Sequence, residues 1–356
     1  PDERTEGRGI LLNSGLTEAD QAGFTVGDVA VGATVLAPVL AWGITDWWTA
    51  AAAVPIYFVS VKASSDFVAG PNAGRFLEQV GKGGVKKEND AATKMNNAVN
   101  EKLTRLGYQP IADKSFTALS DIRVVNKFKL FERTSNDAES GFSRIGFNHV
   151  IGLKAETTIP TGQTQSPDDL LSIPVGDGQW DIGAGLAMDN TLSFRSDFGT
   201  YSAWSNIRWN VFGGYVAQLP ATAELRLPTS ASDTLSADKE AVWRDLGDIV
   251  QTGTSLTLEI MGTGLSVGAG YMYQYMPKAS VSNGAFASER YRLLEDMFPE
   301  RELHTGLLMA GFSTLDMYKA KKFFLPFQTN ITYSAPLAGR NSTTNSMFQA
   351  ELVLFF

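Results

Sequence analysis

The sequence predicts an all-β protein: a closed antiparallel transmembrane β-barrel of twelve strands, with short helices in its long extracellular loops. Three observations carry this. Apolar residues recur with a period of two over stretches about twice the usual length of a soluble strand. The connectors between these stretches alternate between short and long, as in bacterial outer-membrane barrels. Mean hydropathy is close to zero at −0.08, which fits a wall of alternating lipid-facing and lumen-facing residues and not a bundle of membrane helices.

The alternation is clearest in the second half of the chain. "GTYSAWSNIRWNVFGGYVAQ" sets Tyr201, Ile207, Trp209, Val211 and Tyr215 against Trp204, Asn206, Arg208 and Asn210. "GDIVQTGTSLTLEI" sets Val250, Leu256, Leu258 and Ile260 against Gln251, Ser255 and Glu259. "TGLSVGAGYMYQYM" opposes Leu265, Val267, Tyr271 and Tyr273 to Ser266, Gly268, Gly270 and Gln274. The terminal "NSMFQAELVLFF" puts Phe348, Ala350, Leu352, Leu354 and Phe356 on one face.

The strands are expected at 8–13, 26–43, 47–62, 119–131, 141–160, 179–195, 199–219, 247–261, 263–279, 302–318, 321–336 and 345–356, with both ends on the short-connector side. Val29–Thr45 and Trp47–Val61 are free of charge, but each is short for a membrane helix and rich in Val, Ala, Thr and aromatics, so paired strands are expected. The chain reads as a single domain over 1–356. Residues 1–25 supply either the first strand or a plug, and 63–118 is a long helix-containing loop placed to act as a lid.

Short connectors are expected near Thr45-Asp46, 196–199, Gly262-Thr263 and Ala320-Lys321. The long ones carry helical patterns. "NDAATKMNNAVNEKLTRLGYQP" spaces Ala92, Met95, Val99, Leu103 and Leu106 helically, with Gly107 at the stop position. "QSPDDLLS", "LSADKEAVWRDLG" and "FASERYRLLEDMF" also read as short helices, with Ser236 and Ser288 as caps.

Composition narrows the function classes. There is no cysteine, which excludes a disulfide, a thiol nucleophile or a cysteine metal site, and the 2 His nearly exclude a histidine-rich metal centre. Net charge −8 argues against nucleic acid as a partner. His149 falls on the outward parity and His304 at a loop–strand junction, and no catalytic partner is visible for either, so no enzyme activity is expected. "GTGLSVGAG" lacks the helix that a phosphate loop requires. No cofactor and no metal are expected. No secretory signal is legible after Pro1: either none exists or it has been removed.

The inward parity supplies a charged lumen, and its lining and selectivity residues are expected to be Asp28, Asp121, Arg123, Lys127, Lys129, Arg144, Lys154, Glu156, Asp181, Arg208, Glu259 and Glu351. Such charges set selectivity by their local field if the lumen is watered, or knit a narrow barrel shut if it is not. Trp47, Trp48, Trp180, Trp204, Trp209, Tyr201, Tyr215, Tyr271, Tyr273 and Tyr275 are expected to form interface girdles or line a greasy passage, the outward ones as girdles.

"AWGITDWWTAAAAVPIYF" (41–58), "KAETTIPTGQTQSP…PVGDGQWDIGAGLAM" (154–188) and "GDIVQTGTSLTLEI…LSVGAGYMYQY" (247–275) resemble the outer-membrane transporter family linked to meta-pathway phenol degradation, distant relatives of long-chain fatty-acid channels. The insertion at 63–118 is not part of that pattern. The resemblance implies a porin-like channel in the outer membrane of a Gram-negative bacterium, for passive passage of small hydrophobic or aromatic solutes. Leu352, Leu354 and Phe356 resemble the insertion signal that the barrel-insertion machinery reads. The other expected partners are outer-membrane lipid and the small-molecule solute. The alternative is a non-conducting structural barrel whose loops or outer face bind a protein partner or a second copy.

Overall fold

The computed structural model describes residues 23–69, 97, 99–136, 143–198, 201–232, 235–260, 263–282, 284–319, 321–342 and 345–355. It is all-β apart from short helices, and no described helix is long and apolar enough to cross a membrane.

Three long traces at the N-terminal side are each broken once. β1 (Gly23–Leu36) continues into β2 (Val39–Thr45), β3 (Trp48–Ala53) into β4 (Ile56–Ala69), and β5 (Lys114–Leu119) into β6 (Ile122–Asn136). Pro38 and Pro55 interrupt the first two because proline has no N–H for the ladder. Their carbonyls still accept, from Val54 N–H at 3.1 Å and Ser120 N–H at 2.9 Å, so the strands stay neighbours across the breaks. The charge-free segments 29–45 and 47–61 are thus the two arms of a hairpin, as the composition predicts.

Unbroken strands follow: β7 (Ser143–Ile159), β8 (Trp180–Phe198) and β9 (Tyr201–Leu219). A small sheet comes next, from β10 (Ala221–Arg226), β11 (Lys239–Asp245) and the later β14 (Ser280–Ser282). The main series resumes with β12 (Ile249–Ile260), β13 (Leu265–Met276), β15 (Arg301–Ser313), β16 (Phe327–Arg340) and β17 (Met347–Leu354). The main sheet is antiparallel, with eleven strands in the order β17-β16-β15-β13-β12-β9-β8-β7-β6-β3-β2. β17 and the β1–β2 trace are its edges among the described residues. Every residue of β2, and all of β17 except Val353, are exposed, as befits edge strands. The expected strand at 8–13 lies outside the described residues.

Register fixes two faces. Trp209, Leu256, Ala269, Leu308, Tyr333 and Phe348 stand side by side across six strands on one. On the other stand Asn206, Glu259, Ser266, Gly311, Asn330 and Glu351. The first, apolar face leaves Leu308 60% exposed.

The connectors depart from expectation in four places. Residues 166–172 form turns, with the Asp169 carboxylate accepting from Leu171 N–H, and no helix. Residues 239–245 form β11, because pairing with β10 and β14 buries Val242 completely in a core with Leu225, Leu227, Tyr291 and Leu294. Tertiary pairing there outweighs the helix propensity of Ala, Glu and Lys. Ser236 consequently caps no helix: its hydroxyl accepts from Asp238 N–H in a local turn. The helix expected near 288 does form as α1 (Ser288–Glu295), but Ala287, not Ser288, holds the cap position. The turn expected at Ala320-Lys321 is a longer connector containing α2 (Leu315–Lys319).

The helix expected from 89 is described over 99–105, and it stops where glycine predicts. Tyr108 N–H donates to Leu103 C=O and Gly107 N–H to Thr104 C=O, with Gly107 at φ +79, which is a Schellman cap. Gly107→Ala is expected to destabilise this segment by about 1 kcal/mol, since a side chain in the left-handed region is strained. The same cap ends α2, through Lys321 N–H to Tyr318 C=O and Lys322 N–H to Met317 C=O, but Lys321 occupies the left-handed position at φ +56.

Candidate functional site

The polar face of the main sheet carries most of the sequence-predicted lining residues. Arg123, Lys127, Lys129, Lys154, Glu156, Asp181, Arg208, Glu259 and Glu351 share it by register. Their partners were not legible in sequence. Lys127 pairs with Asp189 at 3.3 Å, Lys129 with Glu132 at 2.6 Å, Lys154 with Glu156 at 2.9 Å and Arg208 with Glu259 at 2.6 Å. Asn330 donates to Glu351 at 2.9 Å. Arg123 has no ion pair among the described residues. Lys127 and Arg208 remain 55% and 57% exposed, so their two pairs are open to solvent and each worth little in stability, whereas Glu156 is buried.

Three predicted lining residues fall elsewhere or carry less. Asp28 pairs with Ser64, on the parity of the exposed Phe58 and opposite to Val59 and Val61, so it lies on the apolar face. A single acid at the rim of an edge strand can sit there because water reaches it. Asp121 lies in the break between β5 and β6, where its carboxylate accepts from Gly162 N–H at 2.8 Å and Asp177 N–H at 3.3 Å, and so clamps the connector 160–179. Arg144 pairs in register with Arg195, and its side chain lies outside the described residues. Of the terminal residues, Leu352 and Leu354 share the apolar face, and Phe356 lies outside the described residues.

A cavity of about 280 Å³ opens on the polar face over β7, β8, β9 and β12. Its floor is glycine: Gly152, Gly185 and Gly214, with Lys127, Lys154, Phe212 and Gln251 around it. Gly185 and Gly214 face each other in register, and a Cβ at Gly185 would lie 2.7 Å from Gly213 C=O, so only glycine lets these backbones meet. An apolar patch lies on the same face nearer the long connectors, where Val59 and Val61 are buried by Val175, with Tyr57, Phe116, Leu171 and Ile173 against them. Connector 160–179 therefore folds back over the polar face.

The other long connectors join it in a cap. Arg226, missed in sequence, is its hub. The Arg226 guanidinium donates to Pro167 C=O at 2.9 Å, Leu106 C=O at 2.9 Å, Ser236 C=O at 2.7 Å and Gly107 C=O at 2.8 Å. It pairs with Asp168 and lies 3.9 Å over the Tyr108 ring. The visible signal was a lone cation between Leu225 and Leu227. Arg290 repeats the pattern with Leu227 C=O, Pro228 C=O and Asp238.

Beneath the cap, the buried Gln179, Gln218 and Arg244 gather around the half-buried Asp177. Asp177 Oδ1 accepts from Gln179 N–H at 2.8 Å, and Oδ2 from Gln218 Nε2 at 3.2 Å. Gln179 Nε2 donates to Arg244 C=O at 2.7 Å. Burial pushes the Asp177 carboxyl above its ordinary value, and the neighbouring Asp121 charge pushes the same way. The fold thus favours neutral Asp177. Its contribution to cap stability is fully present below 3.8 and is lost as pH rises through the raised folded value. Asp177→Asn is expected to slow proteolysis of the connectors at pH 7 and to change little in acid.

The two histidines have neighbours. His149 Nδ1 lies 2.7 Å from Asn190 Oδ1. His304 Nδ1 lies 2.6 Å from the Tyr271 hydroxyl, and Nε2 lies 3.3 Å from Glu302. Both imidazoles are on the apolar face by register. Among the described residues no group of three or more His, Asp or Glu is arranged to hold a metal ion.

No family model matches the chain, and no curated protein matches it. Among solved structures, an outer membrane channel from Pseudomonas putida F1 is similar over 91% of this chain and 82% of its own, at 13% identity and a TM-score of 0.45. A likeness of that strength is too weak to bear on function.

Proposed function

We propose that the chain is an outer-membrane β-barrel channel of a Gram-negative bacterium, through which small solutes pass passively along the polar face. The observation that carries this is the two-faced sheet: one face carries an exposed apolar row from β9 to β17, and the other bears charges under a cap of connectors. An exposed apolar face of this extent needs lipid or a partner against it. Open edges in hydrocarbon leave backbone groups unpaired, so the reading requires a twelfth crossing between β17 and β1–β2. Chain direction supports an even count, since β1 begins at the long-connector end and β17 finishes at the short-connector end.

The solute class proposed is small, hydrophobic or aromatic. This class rests on the resemblance of 41–58, 154–188 and 247–275 to the phenol-degradation transporters, since Val59 and Val61 are packed under Val175. The segment expected as a loop over 63–118 is strand at 63–69 and 114–118, and its described stretch 99–113 joins the cap, which on this reading covers the mouth as a lid. No enzyme chemistry and no cofactor enter the proposal. Lipid and the insertion machinery are its partners.

The ion pairs across β6–β9 and β12 favour a second reading, a non-conducting structural barrel that binds a protein or another copy. Single-channel recording in planar bilayers separates the two. Stepwise conductance supports the channel, and silence from correctly folded protein supports the scaffold.

A further inference from the structure

The connector 314–326, at the short-connector end, presents three exposed lysines, Lys319, Lys321 and Lys322, against one acid of its own, Asp316, whose side chain lies outside the described residues. Beside them Phe324 is 84% exposed. Its ring stacks on Phe323 at 5.0 Å, Phe323 meets Phe327 at 6.0 Å, and Phe327 meets Phe312 at 5.9 Å. Phe312 and Phe327 belong to the apolar face, in register with Leu265 and Leu354. A chain of ring contacts thus leads from the sheet to a solvent-exposed ring flanked by three exposed lysines. The other described short connectors, Thr45 to Trp47 and Thr263-Gly264, carry no lysine.

Lys321 adds an independent sign. It holds the left-handed position of the α2 cap, where glycine is the unstrained choice. A strained residue that keeps a long cationic side chain points to a use for that side chain.

We propose that this connector is a docking surface for anionic phospholipid headgroups, with the three ammonium groups on the phosphates and Phe324 inserted at the level of the acyl carbonyls. The proposal rests on the reading of the apolar face as lipid-facing. Aromatic rings prefer that depth, and lysines near a membrane are drawn to anionic lipid over a short range. The protein's net charge of −8 makes the patch stand out and excludes bulk electrostatic attraction as its explanation.

The absence of cysteine makes a test direct, since a single introduced thiol is unique. Tyr318→Cys, exposed on α2, carries an environment-sensitive dye, and Leu308→Cys in a second sample reports contact with acyl chains. Both are refolded as the full chain into vesicles of phosphatidylcholine with and without phosphatidylglycerol. The expected result is a blue shift of the dye at 318 when phosphatidylglycerol is present. Local selectivity for the anionic lipid should be on the order of tenfold, and should be abolished by high salt and by the triple variant Lys319→Gln, Lys321→Gln, Lys322→Gln. Indifference to phosphatidylglycerol, or a shift that survives the triple variant, overturns the proposal even if these lysines bind a soluble protein. If the dye at 308 meets acyl chains while the dye at 318 is indifferent, the membrane reading stands and only the headgroup site fails. If neither dye meets lipid, both fail.

Discussion

Leu308→Arg is expected to cost about 2–4 kcal/mol of folding stability in lipid vesicles, whereas Met309→Arg, one residue along, should cost far less. The two positions test the faces of one strand at one depth. Leu308 stands mid-strand in β15, between Ala269 and Tyr333, in the apolar row that runs from Trp209 to Phe348. A guanidinium there has no partner on either neighbour and must reach an interface across several residues of hydrocarbon. Met309 pairs with Gly268 and Thr332 on the polar face, in the row that contains Arg208 and Gln349. An arginine at 309 meets water, with Gly268 leaving room beside it. Urea midpoints in vesicles of fixed composition measure both. Equal losses would mean that the sheet does not separate lipid from water, and the channel and scaffold readings would both lose their membrane setting.

The faces were legible because a strand's side chains alternate whatever its neighbours do. Gln349, Glu351 and Asn206 could be set against Leu352, Leu354 and Ile207 from period alone, and the described strands follow that parity. Asp28 was misplaced because its surroundings are apolar on both parities, so one acid decided the face with nothing to check it. The connectors were legible only where the local signal was complete. Gly107 ends its helix because the left-handed cap excludes most other residues cheaply, whereas "SADKEAVWRD" has helix-forming residues and alternating burial at once. Pairing with β10 decides between them, and no local count contains β10. The Lys127–Asp189 pair was out of reach for the same reason: its two residues lie on strands that do not adjoin each other. Their contact depends on shear across β7.

Arg226 is where that long-range information concentrates, and Arg226→Ala is expected to loosen the cap while leaving the main sheet folded. The guanidinium is 6% exposed and holds four carbonyls from three separate connectors, besides Asp168. Two of those carbonyls, Leu106 and Gly107, close the helix at 99–105, where a cation also faces the negative end of the dipole. Alanine leaves these acceptors without their donor and strips Tyr108 of its stacked cation. Losing a charged donor to partly buried acceptors costs roughly 1.5–3 kcal/mol. Asp168 keeps Lys239 at 3.0 Å, so part of the charge stays compensated. Arg226→Lys should recover only a minority of the loss, because one ammonium cannot reach acceptors spread around a planar fork. Amide exchange reads this by region. Residues 99–111 and 221–245 should exchange faster by roughly one to two orders of magnitude, with β12 and β13 unchanged, because local opening of the cap does not need the sheet to open. Uniform acceleration would make Arg226 part of the global fold, and no acceleration would make its bonds incidental. If the cap also covers the mouth of a channel, the same alanine variant should conduct more than the parent. A variant with fast-exchanging connectors and unchanged conductance would separate the cap from the solute path and leave it as a binding or protective structure.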